Sequence, residues 1–448
     1  MKFIRLRIIF SIALLCLGID RAGAIDSDLG RFSIAKQAQI RDFAETLTNK
    51  VPAIVWRFYD ALRVDDWETA TNLAYRINAA SHRYSQVTND DSMSPALGTQ
   101  IWSPICESFG AYQQFHDWNN RWLHRFGDDI IKSIPPGSIY FGGTDPGRFV
   151  ISALCESQVG GKPFFILTQN QLADYTYIEY LRATYGKKLD LPTLEDVQVT
   201  FTNYLADYKK RQKAGQLKPG ESVTDINGQA QVSGQVSVME INALLVKNIF
   251  DANPGRAFYV EESFPLDWMF PRLTPHGLIF QLNREPVGGL SEADVARDQA
   301  LWKKLTDEMF GPWLDDQTSL KDICDYAQKY GLGKNLDGFK GDRAFAENAA
   351  ARKTYSKLRS SQAGLYAWRA DHAKDADERK RMYQAADLAF RQAYTLCPYS
   401  PEAIYRYINV LMNRQRMDDA VLIMKTSVEL VPEDKQFRDV LHQLMQYH

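Results

Sequence analysis

The sequence predicts a mixed chain, α/β in its middle and all-α towards both ends. Two observations predict this. Between residues 135 and 290 short apolar runs alternate with helical stretches, and towards the carboxyl end small and large apolar positions recur at an interval of 34 residues. Strands alternating with helices argue for a layered sheet. A helical period that long marks hairpins unable to bury their apolar faces alone, which therefore stack.

Composition bounds the rest. The chain has 448 residues, 45% hydrophobic and 12% aromatic, so it can build substantial cores. Its net charge of −2 comes from acidic and basic residues spread along the length. No basic stripe marks a nucleic-acid surface, and that function class is excluded.

The amino terminus reads as a signal peptide over residues 1–24. Lys2, Arg5 and Arg7 supply its positive start, and Ile8 to Leu17 its apolar run. That run is shorter than the roughly 20 residues a spanning helix needs. Ala22-Gly23-Ala24 places small residues ahead of cleavage before Ile25. The expectation is an exported protein, periplasmic or extracellular, with no transmembrane span after cleavage. Cys106, Cys155, Cys324 and Cys397 then meet an oxidising space. Their wide spacing follows no metal or redox motif, and each sits on an apolar helical face, so buried free thiols are expected.

Residues 25–134 read as a helical segment. Val55, Phe58, Tyr59 and Leu62 recur at helical spacing, and after the turn at Val64 to Trp67 so do Ala70, Leu73, Ala74 and Ile77. Gln86 to Pro95 is a polar loop. Trp102 to Ser133 reads as helix, with Trp118, Trp122, Phe126 and Ile130 as a packing face.

The period changes at Pro135-Pro136-Gly137, which opens an α/β domain over 135–290 of Rossmann-like layering. Ser138–Gly142, Pro163–Thr168, Arg256–Val260 and Gly277–Leu282 are the strand candidates, separated by helices over 149–157, 173–185 and 238–250. A mostly parallel sheet follows from that alternation. Leu194 to Ala214 adds a further helix, and Gly215 to Gln235 a flexible or hairpin excursion.

From Ser291 the chain is helical, first as a connector over 291–360 and then as repeats over 361–448. Pro432 follows Pro398 by 34 residues, and Ala420, Met424 and Ser427 fall in step with Ala386, Phe390 and Ala393. Those are the small, large and small positions of the second helix of a tetratricopeptide (TPR) repeat. Lys374 to Arg379 is a charged insertion that lengthens the first repeat. Gln436 to Tyr447 reads as a capping helix.

The best local signal for a ligand is the loop after the first strand, Gly142 to Arg148. Ligands of open α/β sheets bind beyond the carboxyl ends of strands, where a helix start favours an anion. Thr144 and Asp145 suit hydroxyls and Arg148 a carboxylate or phosphate. Gln169, Asn170 and Asp174 follow the second strand, and Glu261 the third. Catalysis has no comparable signature. There is no HExxH, no G-x-S-x-G elbow and no Walker loop. The acidic pairs Asp128-Asp129 and Asp315-Asp316 are adjacent and so point apart on a helix. No catalytic residue, metal ligand or cofactor is assigned.

A resemblance adds to this reading. The segments IPPGSIYFGGTDPGRF, FFILTQNQLAD with YIEYLR, AFYVEESF and LTPHGLIFQL resemble the soluble extracytoplasmic region of bacterial DUF2723 membrane proteins. In that family, multi-spanning helices related to protein O-mannosyltransferases precede a soluble portion. GLYAWRA and the proline-ended repeats resemble the tetratricopeptide tails of some members. This chain lacks the multi-spanning part in which glycosyl transfer would reside. The resemblance therefore implies a soluble domain of the cell envelope and no catalytic residue. The function expected is a protein-interaction scaffold that engages a protein or peptide partner through its repeats. The alternative is a carbohydrate- or nucleotide-sugar-binding accessory of a glycosyltransferase system.

Overall fold

The structure, a computed structural model, describes residues 27–448 apart from 82–94, 159–161, 219, 227–228, 233, 262–267 and 448. The signal peptide expected over 1–24 and most of the 86–95 loop lie outside the described residues. The fold is mixed α/β and rich in helix.

In chain order α1 (Asp28–Thr46), α2 (Ala53–Arg63), α3 (Trp67–Ser81), α4 (Trp102–Asp117) and α5 (Asn120–Ser133) precede the first strand. There follow β1 (Ile139–Gly142), α6 (Asp145–Gln158), β2 (Phe165–Thr168), α7 (Tyr175–Tyr185) and α8 (Leu194–Lys213). Next come β3 (Val223–Ile226), β4 (Gln229–Val232), α9 (Gln235–Ala252), β5 (Phe258–Val260), β6 (Leu273–His276) and β7 (Ile279–Leu282). The remainder is helical: α10 (Glu292–Phe310), α11 (Leu320–Tyr330), α12 (Arg343–Ala346) and α13 (Ala349–His372). It closes with α14 (Ala376–Leu396), α15 (Pro401–Asn413), α16 (Met417–Leu430) and α17 (Lys435–Tyr447).

The chain divides into two compact units, each assembled from two separate stretches. The first runs to His116 and resumes over Asp145–Arg256; the second comprises Asp117–Thr144 and Ala257–His448.

In the first unit α2 and α3 form the hairpin that the apolar spacing predicts, and all eight of its marker residues are buried. Asp65 makes the turn with a left-handed φ of 54°, and Tyr112 donates to its Oδ1 at 2.7 Å. Helix α1 packs against α6 through Phe32 and Phe149, with the Phe149 ring standing where a Cβ on Gly110 would be. Lys36 is buried among Glu107 and Tyr180. Burial disfavours its charge, but Glu107 outweighs that and holds the ammonium above its ordinary range. Within the stretch over 215–235, β3 and β4 pair antiparallel, with Val223 opposite Val232.

The helix expected over 102–133 is two helices. Asn119 breaks it by adopting an extended conformation and accepting from the Arg121 N–H, which caps α5. The aromatic face of α5 is a packing face: in the second unit Trp122 and Phe126 are fully buried against Phe345 and Tyr355.

The second unit holds strands in the order β1-β5-β7-β6. β1 and β5 are parallel, with Tyr140 opposite Tyr259. β7 runs antiparallel to both β5 and β6. The mostly parallel sheet of the sequence reading is therefore corrected here to a mixed one. The cause is a reversal at Gly277, whose φ of 62° lets the chain fold straight back. Pro275 hid β6 from the sequence, and an edge strand is where a strand proline is tolerated.

Beyond the sheet, one apolar core runs from Leu290 to Leu444 and takes in every helix of the repeat region. The charged insertion 374–379 becomes an extra turn of α14, for which Asp375 is the cap, accepting from the Glu378 N–H at 2.8 Å. The four cysteines among the described residues, Cys106, Cys155, Cys324 and Cys397, are free thiols; the last three are buried, and burial pushes Cys155 up to about 12 and Cys324 to about 11.

The long helix α13 carries an unusual set of buried polar side chains. Arg352 donates to Leu396 O, Gln362 to Gly277 O, and Arg369 to Val287, Pro271 and Leu273 O. Arg359 is fully buried, pairs with Asp298 of α10 at 2.7 Å, and donates its Nε–H to Gln392 of α14. Tyr366 donates to the same Asp298 oxygen at 2.8 Å, and burial followed by that carboxylate raises its phenol above the ordinary range.

Candidate functional site

The seven residues that the sequence marks for a ligand fall into separate arrangements. In the second unit β1 ends in a loop whose backbone N–H groups point at one place, the geometry that favours an anion. The protein supplies that anion itself. Glu261, fully buried after β5, accepts from the N–H of Gly143 at 2.9 Å and of Thr144 at 2.7 Å. Its other oxygen accepts from the Thr144 hydroxyl. Charge-assisted bonds of this kind offset the desolvation of a buried carboxylate. Glu261 thus closes the loop on itself, and the role for which the sequence marked Thr144 and Glu261 is filled by their mutual contact.

In the first unit Asp145 opens α6 and pairs with Arg148 one turn on. The Arg148 guanidinium lies 4.4 Å from the Phe149 ring centroid, and its Nη1 donates to Asn170 Oδ1 at 3.4 Å. Its Nε–H is buried and makes no hydrogen bond among the described residues. Gln169 is fully buried, and neither atom of its amide has a partner among those residues. A buried amide left unpaired costs about 1–3 kcal/mol, so Gln169 stands out from the otherwise satisfied turn. Asp174 is a helix cap, its Oδ1 accepting from the Thr176 N–H at 2.9 Å and hydroxyl at 2.7 Å.

One positioning residue was missed. Asn242 of α9 is buried, accepts from the Ala173 N–H at 2.7 Å and donates to Asn170 O at 3.3 Å. It staples the turn that carries Gln169 and Asn170. The available signal was an asparagine on an otherwise apolar helix face, a polar group that must find partners there.

Among the described residues no group of three His, Cys, Asp or Glu is placed to hold a metal ion. No helix among them is long and apolar enough to cross a membrane. Comparisons with protein-family models, with curated proteins and with solved structures return no match to the chain.

Replacing Glu261 by Ala leaves two buried N–H groups and a hydroxyl without their acceptor. The expected loss is about 3–5 kcal/mol in urea unfolding of the full chain. A loss below about 1 kcal/mol would show that the carboxylate does not hold the loop.

Proposed function

We propose that the chain is an exported cell-envelope protein that acts as a protein-interaction scaffold through TPR-like repeats. The observation that carries this reading is the recurrence of the 34-residue interval in space. α15 begins at Pro401 and α17 at Lys435 (435 − 401 = 34), while α14 ends at Leu396 and α16 at Leu430 (430 − 396 = 34). The paired positions Ala386 and Ala420, Phe390 and Met424, and Ala393 and Ser427 are all buried. Stacked hairpins of this kind leave elongated hollows for a partner segment. Two hollows, of about 770 and 400 Å³, lie along α14, the first against α10 and the second against α15. The resemblance to envelope proteins of the DUF2723 class belongs to this reading, as does Rossmann-like layering around the parallel β1 and β5.

The test is affinity capture from envelope extracts with the full chain, because the continuous core rules out deleting the repeats without unfolding them. Gln384→Lys and Arg414→Glu alter the two hollows at their surfaces. A scaffold loses captured proteins with at least one of these variants at an unchanged melting temperature. Identical capture by the wild type, both variants and a bare-bead control would contradict the reading.

A second reading, a glycan- or nucleotide-sugar-binding accessory protein, is favoured by one observation. The buried Gln169 amide and the Arg148 Nε–H are hydrogen-bonding groups without partners among the described residues, which a hydroxyl-rich or phosphate-bearing ligand would satisfy. A ligand bound only to the folded state raises the melting temperature. Thermal scans against sugars, nucleotide sugars and phosphates should show a shift that Gln169→Leu abolishes. No shift across the panel would count against this reading.

A further inference from the structure

The smaller hollow of the second unit, of about 400 Å³, lies between the first half of α14 and the end of α15. The charged insertion over residues 374–379 helps to build one wall. α14 has 21 residues, and α16, its counterpart one repeat on, has 14. The start of α16 at Met417 corresponds to Tyr383 (417 − 34 = 383), so residues 376–382 overhang the repeat. Ala376, Arg379 and Lys380 of that overhang line the hollow, with Tyr383 beside them. Spacings of three and four put these side chains on one face of the helix. Val410 and Leu411 of α15 supply an apolar side.

The lining carries four cations, Arg379, Lys380, Arg414 and Arg416, against one carboxylate, Asp387. Asp387 pairs with Arg416 at 2.6 Å and also with Arg391, while Arg416 meets Asp419 as well. That pair belongs to the fold. The other three cations are exposed and make no ion pair among the described residues. Two of them are held in place without a carboxylate. Arg379 Nη2 donates to Ala373 O at 2.8 Å. The Arg414 guanidinium lies over the Tyr383 ring, 4.0 Å from its centroid, and Tyr383 donates to Asp371, outside the lining. Stacking covers one face of a guanidinium and leaves its in-plane N–H groups for an acceptor. Such a fork grips a carboxylate through two bonds.

We propose that this hollow binds a short acidic segment of a partner polypeptide. Two neighbouring carboxylates meet Arg379, Lys380 and Arg414, and an apolar side chain next to them lies on Val410 and Leu411. A free phosphate would match the cations but leave the apolar side bare. Because both guanidinium groups are placed before a ligand arrives, little side-chain order is lost on binding. The interaction reading above, on which this assignment rests, thereby gains a surface and a ligand chemistry.

The experiment is an array of pentapeptides, Gly-X-Glu-Glu-Gly and Gly-Glu-Glu-X-Gly with every residue type at X, beside their Gln-Gln counterparts. It is probed with the labelled full chain and with Lys380→Gln, Arg414→Gln and the double variant. Both side chains are exposed, so their loss opens no core, and melting temperatures check that each variant is folded. Glu peptides with an apolar X should be retained and their Gln counterparts washed away. Retention should fall about threefold in each single variant and about tenfold in the double one, the scale of exposed charge pairs. Equal retention of Glu and Gln peptides overturns the acidic ligand, whatever the variants do. Retention indifferent to X reduces the ligand to a bare anion and overturns the segment. Retention unchanged in the double variant places docking elsewhere and overturns the hollow. No peptide retained by the wild type overturns the proposal too, while the scaffold reading stands or falls separately on capture from envelope extracts.

Discussion

The second unit depends on one constraint, the burial of charge along α13. A guanidinium cannot leave water unless carbonyls or carboxylates replace it. Arg352, Arg359 and Arg369 therefore dictate what surrounds the helix. Arg352 fixes the end of α14, Arg359 joins α10 to α14 through Asp298 and Gln392, and Arg369 gathers carbonyls at the start of β6 and beyond β7. Gln362 adds the turn between β6 and β7 and accepts from the Trp302 indole at 2.5 Å. Apolar packing would hold these elements together in several ways; directional bonds to a buried stripe select one. The hydrogen-bond partners of Arg369 are carbonyls, and burial lowers its pKa.

The larger hollow of the second unit inherits that arrangement. Gln392, whose carboxamide oxygen accepts from Arg359, lines it. Its walls are α10 and α14, the two helices that Arg359 joins. A partner segment would thus meet side chains fixed before it arrives, which limits the ordering cost of binding. The loop at Thr144 follows a similar logic. An anion-favouring turn is satisfied by the protein's own Glu261, and so serves as a structural joint.

Much of the helical architecture was legible in the sequence because its period is local. Val55 to Leu62 and Ala70 to Ile77 declare a hairpin by spacing alone, and the 34-residue interval names the buried positions of α14 and α16. What could not be read depends on distant partners. Nothing near Glu261 reveals that it folds back on Thr144, 117 residues away, and nothing near Arg359 announces Asp298. The break at Asn119 was hidden by aromatic spacing that continues across it. Strand β6 was hidden by a proline whose edge position only the assembled sheet explains. The stripe on α13 has no local signature, since Arg and Gln carry no mark of the carbonyls that will bury them.

The most direct test of this account is a double-mutant cycle on the buried pair, read by urea unfolding of the full chain. Arg359→Leu strands the Asp298 carboxylate and should cost about 3–5 kcal/mol. Adding Asp298→Asn removes the stranded charge and should restore a substantial part of that loss, a coupling of 1 kcal/mol or more by the usual scale of about 0.5–3 kcal/mol for contacting residues. A near-neutral Arg359→Leu, or two effects that simply add, would show that the stripe on α13 does not organise the unit.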